Sequence, residues 1–165
     1  MSGESSKESI ASASVLVDGC RVPELEDKDS GPRNWDFLAW DLPEREVKSV
    51  RECENQHQRL IATATNDYFE VLVTNDQPLA LSFEDENLLR FSTYVDGLRI
   101  DNLIVDPQTD AIIHGQHVSN SRQFGVRRMR FAPLRPDSSR EGAARDVRAS
   151  HAGRIDVIVR KVRSI

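Results

Sequence analysis

His114 and His117 stand three residues apart, the chain's one arrangement with metal-ligand spacing. Positions three apart on a strand point to opposite faces, so both rings reach one ion only if the chain turns at Gly115. The plainer reading is two polar surface histidines, and no metal is expected. His57 and His151 lie far off in sequence. Serine, cysteine, histidine and aspartate are all present, yet no Gly-x-Ser-x-Gly elbow frames a nucleophile. No glycine-rich loop is built to cradle phosphate, so no cofactor is expected either. Acids such as Asp36 with Asp41, or Glu84-Asp85-Glu86, read as solvated turns. No catalytic residue is assigned, and the reading points away from an enzyme.

The arginines carry the remaining chemistry. Residues 122–165 hold 12 basic and 4 acidic side chains, a net +8, against −13 for the rest of the chain. Within this stretch Arg127, Arg128 and Arg130 crowd one β-rich segment. On a strand Arg128 and Arg130 share a face about 7 Å apart, near the spacing of successive phosphates. Guanidinium forks suit carboxylates equally well. One reading pairs these cations with acidic strands inside a sheet. The other makes Arg127, Arg128 and Arg130 a contact surface for an acidic protein partner. Nucleic acid is the alternative partner but is not favoured. The whole chain is acidic at −5, and no aromatic stacking motif adjoins these arginines in sequence. A small hydrolase-like enzyme is the second alternative, which a deep pocket gathering histidines and acids would support.

The elements that must position these residues read as β-strands. Ser14–Val22 and Ser92–Ile100 repeat one phrase, identical at five of nine positions and sharing Val-Asp-Gly. Asp-Gly between β-rich runs is the signature of a type I′ hairpin, because both turn residues need φ > 0. In the first hairpin the register sets Val17 against Cys20 and Leu16 against Arg21, with Val15, Val17 and Val22 facing the core. In the second, Leu88–Val95 against Leu98–Val105, Tyr94 faces Arg99 on the outer side as a cation–π pair.

Trp35–Trp40 reads as a strand-like segment, with one or both tryptophans as core anchors. Val47 and Val50 mark a short helix or loop within 42–58. Arg59–Thr65 and Tyr68–Thr74 read as a strand pair turning at Asn66-Asp67, with Phe69, Val71 and Val73 on one face. Leu79–Phe83 reads as an edge segment and Ala111–Val118 as one strand. A bulge at Arg127-Arg128 would bring Phe124 and Val126 onto the face of Met129 and Phe131. Arg154–Arg163 is the last strand. About eight short strands make an all-β chain, a single antiparallel, jelly-roll-like β-sandwich over 14–165. Residues 1–13 are expected to form a disordered tail and 132–152 a mobile loop.

No apolar run nears the ~18 residues of a membrane-spanning helix. The N-terminus lacks the apolar region of a secretory signal. Cys20 and Cys53 fit reduced thiols. An intracellular location, cytoplasm or nucleus, is therefore expected.

The order of five segments resembles the fungal family that shares domain of unknown function 7918. They are Val15-Leu16-Val17-Asp18-Gly19, the Arg59–Val73 pair, Tyr94-Val95-Asp96-Gly97, Arg130-Phe131-Ala132-Pro133-Leu134, and Gly153 to Val159. The resemblance spans Ser14 to Arg163. It implies a β-sandwich and a fungal, intracellular setting, and it brings no activity and no catalytic residues. The function expected is that of a non-catalytic interaction or scaffold domain.

Overall fold

The computed structural model describes residues 9–27, 35–53, 56–79, 87–133 and 152–162. Strands dominate them, with one α-helix, and every strand pair is antiparallel. The large sheet holds β1 (Ala11–Val17), β2 (Cys20–Arg21), β5 (Tyr68–Asn75), β8 (Thr109–Ile113), β9 (Gly115–Ser119) and β10 (Phe124–Arg130). Its order is β2-β1-β5-β10-β9, with β8 also on β5. The small sheet is β11-β6-β7: β6 is Leu89–Val95, β7 is Leu98–Val105 and β11 is Ile155–Lys161. A separate ribbon pairs β3 (Glu24–Glu26) with β4 (Arg59–Ile61).

Both Asp-Gly hairpins form as read. Asp18 and Gly19 have φ of 52° and 75°, and Asp96 and Gly97 have 51° and 78°. Val17 faces Cys20 and Leu16 faces Arg21. Valine at position 97 would place a β-branched side chain at positive φ. Gly97→Val is expected to cost more than about 1 kcal/mol in urea denaturation. An unchanged midpoint would refute the turn assignment.

The core follows from alternation. Phe69, Val71 and Val73 of β5 point inward, and Leu89 and Phe91 of β6 point back at them. Val105, Ile113 and Met129 complete this cluster between the two sheets, an all-β sandwich. Asn75 ends β5 and ties the sheets together. Its buried amide donates to the Asn87 and Val105 carbonyls at 2.9 and 2.8 Å, while its oxygen accepts from the Gln77 N–H at 3.0 Å. A buried amide with all these partners stabilises where an orphaned one would cost.

A third layer covers the outer face of the small sheet. Residues 36–40 form a 3-10 turn rather than a strand: Leu38 N–H bonds the Trp35 carbonyl and Asp41 N–H bonds that of Leu38. The tight i→i+3 spacing points adjacent Phe37 and Leu38 inward together, which a strand cannot do. Trp35 is half-buried against this cluster, whereas Trp40 is 83% exposed and anchors nothing. Helix α1 (Glu44–Arg51) follows, with acids in its first turn and cations in its last, as the helix dipole favours. It buries Val47 and packs Val50.

This layer changes the place of Tyr94. Tyr94 pairs with Arg99 in register but is fully buried, its ring edge-on to Phe37 at 5.1 Å. Burial, with Asp41 as the next cause, raises its phenol above 10.0.

Other expectations are corrected. Val15 and Val17 pack half-buried against the core as expected, but Leu16 between them is also buried. β1 begins at Ala11 rather than Ser14. The Arg59 run pairs with β3, not with β5. Its Asn66-Asp67 turn is held instead by Phe131, through Asn66 N–H to Phe131 O and Phe131 N–H to Asp67 O. The run at 111–118 breaks after Ile113, because β8 pairs with β5 and β9 with β10. Residues 1–8, 80–86 and 134–151 lie outside the described residues, and with them most of the expected tail, edge segment and loop. Among the described residues, no helix is long and apolar enough to cross a membrane.

Candidate contact surface

β10 leaves one strand and joins another along its length. Phe124 to Arg128 pair continuously with Ser119 to Gly115 of β9, and Met129 and Arg130 then pair with Phe69 and Tyr68 of β5. The register runs straight through Arg127-Arg128, so the expected bulge is absent from this pairing. The opposite parities have another cause. Met129 and Phe131 face the core, with Phe131 stacked on Phe69 at 4.2 Å. Phe124 and Val126 face outward, 79% and 42% exposed.

Alternation then separates the three arginines. Arg128 and Arg130 share the outer face with Phe124 and Val126, and Arg127 lies on the opposite face with Met129. All three are exposed, and among the described residues none of them makes an ion pair. Among the described residues, no acidic side chain stands within ion-pair distance of them.

Aromatic rings flank the row. The Arg128 guanidinium lies over the Tyr68 ring, 4.3 Å from its centre. Tyr68 is itself paired with Arg130 and 44% exposed. At the other end His117 stacks with Phe124 at 6.1 Å. Neither contact is visible in sequence, because Tyr68 and Arg128 are sixty residues apart. The β5–β10 register was the missing information.

The two histidines do not converge. His114 pairs through Nδ1 with Glu70 of β5, while His117 Nε2 lies 3.9 Å from Asp101 of β7. Among the described residues no group of three or more histidines, cysteines or acids stands together. Cys20 and Cys53 are both exposed thiols.

Gly115 lets β9 approach. A Cβ there would press into the Arg127 carbonyl, 2.8 Å from its carbon and 3.0 Å from the Arg128 Cα. Glycine is what permits this backbone contact behind the arginine row.

A groove of about 2440 Å³ lies between β1, β11 and α1 and reaches Arg130 and Phe131 at the end of β10. Among the described residues, three of its four acids, all but Glu24, are engaged. Glu46 pairs with Arg160, Asp156 with Arg154 at 2.9 Å, and Asp96 accepts the Gly153 N–H at 2.7 Å. His57 lines it without a carboxylate set to orient it.

No curated protein and no solved structure matches the chain. The model of the family described as Domain of unknown function (DUF7918) matches residues 11–165, and the chain belongs to that family.

Proposed function

We propose that this domain is a non-catalytic protein-interaction module whose contact surface, Arg127, Arg128 and Arg130 with the apolar residues beside them, takes an acidic protein partner. The observation that carries the reading is that Arg128 and Arg130, exposed and without an ion pair among the described residues, share a face with exposed Phe124, Val126 and Tyr68, while Arg127 is exposed on the other face of the same strand. Arginine and aromatic side chains are the groups that concentrate binding energy at protein interfaces. Two observations favour protein over nucleic acid. The chain is acidic overall at −5, which repels a nucleic acid, charged along its whole length, more than a protein whose acids are confined to one segment. The Tyr68 and Phe124 rings also already carry Arg128 and His117 on one face, leaving less ring surface for bases. The fungal, intracellular setting of the family resemblance is the setting we assign.

The test is the Arg127→Gln, Arg128→Gln, Arg130→Gln triple variant. With no ion pair among the described residues to lose, and only the exposed Arg128–Tyr68 contact removed, it is expected to melt close to the wild type while recovery of bound acidic proteins falls sharply. Wild-type binding is expected to weaken steeply with salt. Binding insensitive to both the substitutions and salt would overturn the reading. Salt- and arginine-dependent binding of single-stranded DNA or RNA in its place would reassign the surface to nucleic acid.

A further inference from the structure

The outer side of β10 is more than a basic patch. Phe124, Val126, Arg128 and Arg130 form one row on the outer face of β10, apolar at one end and cationic at the other. Strand geometry spaces these side chains about 6.8 Å apart, so the row runs about 20 Å. We propose that this row reads an extended acidic segment whose alternate side chains are apolar, apolar, carboxylate, carboxylate. The proposal rests on the protein-interaction reading above and names the chemistry of the partner.

An extended chain places every second side chain at the same pitch as the row, so four contacts align without strain. A pair of adjacent acids cannot do this, because neighbouring side chains on an extended chain point in opposite directions. Arg128 is held in advance: its guanidinium carbon sits over the Tyr68 ring, 4.3 Å from its centre, a contact that favours one rotamer while the side chain stays exposed to a carboxylate. That ordering lowers the entropy cost of binding. Arg130 is the next side chain of the row, across the ladder from Tyr68. Phe124, with the His117 ring 6.1 Å from it, offers the apolar end an exposed aromatic face.

The experiment measures fluorescence anisotropy of two dye-labelled peptides on the full chain. One is Leu-Thr-Leu-Thr-Glu-Thr-Glu, with alternate spacing and β-favouring threonines. The other is Leu-Leu-Thr-Thr-Thr-Glu-Glu, with the same composition and charge. The alternate peptide is expected to bind about tenfold more tightly, the loss attached to one misplaced charge-assisted hydrogen bond. Phe124→Ala and Arg128→Gln are each expected to erase that advantage. Equal affinity for the two peptides, or binding of neither, overturns the alternate-spacing reading. That failure is distinct from failure of the interaction module, which the triple variant reports through proteins rather than peptides.

Discussion

Phe91→Ala is expected to destabilise the domain by about 3–5 kcal/mol, a large part of the ~5–15 kcal/mol that holds such a domain together. Phe91 is fully buried in β6, with Leu103 of β7 and Val159 of β11 as its cross-strand neighbours. It packs in the cluster of Phe69, Val71, Val73 and Met129 from the opposing sheet. Removing the ring loses its transfer free energy and leaves a cavity that two paired sheets cannot collapse to fill. Phe124→Ala deletes the same atoms from a site 79% exposed and is expected to change stability by no more than about 0.5 kcal/mol. Urea denaturation of the two variants beside the wild type decides it. Equal losses would mean that β6 does not face the large sheet.

The contrast between these two phenylalanines also shows what the sequence could carry. Phe91 alternates with Leu89 and Thr93 in a hairpin whose Asp-Gly turn dictates its own conformation, so turn and inward face are local information, whereas the register shift between Thr93 and Tyr94, which sets Phe91 opposite Leu103, is not. The β5 face of Phe69, Val71 and Val73 is legible for the same reason. Phe124 is not, because its exposure depends on where β10 exchanges β9 for β5, between Arg128 and Met129. Sequence parity flags the irregularity, but a bulge and a change of partner produce the same pattern.

Tyr94 fails to be legible for a related reason. Its alternation correctly places it opposite Arg99, but the layer of residues 36–51 that buries it comes from far along the chain. The arginines were found by composition, since twelve cations in one stretch need no geometry. That Arg127 departs from Arg128 and Arg130 follows from alternation alone. That Arg128 lies over Tyr68 follows only from long-range pairing.

Gly115→Ala is expected to separate β9 from β10 and to cost at least about 2 kcal/mol, within the range for atoms forced into a packed site. The added Cβ meets the Arg127 carbonyl and the Arg128 Cα, which are backbone and cannot rotate aside. The Arg128–Gly115 pairing must therefore open, or β10 must bend away from β9. Gly125 lies on the facing strand, opposite Val118, and a Cβ there meets nothing within 4 Å. Gly125→Ala is accordingly expected to be neutral or to stabilise by up to about 1 kcal/mol, by reducing the freedom of the unfolded chain. Two glycine-to-alanine changes on one strand pair thus carry opposite expected signs. Amide hydrogen exchange should show faster exchange confined to β9 and β10 in Gly115→Ala, because the clash is local. The same variant should weaken partner binding beyond its loss of folded protein, since β10 would no longer hold Phe124, Val126, Arg128 and Arg130 in line. Gly115→Ala with wild-type stability would show that β9 and β10 do not approach as closely as the structure places them.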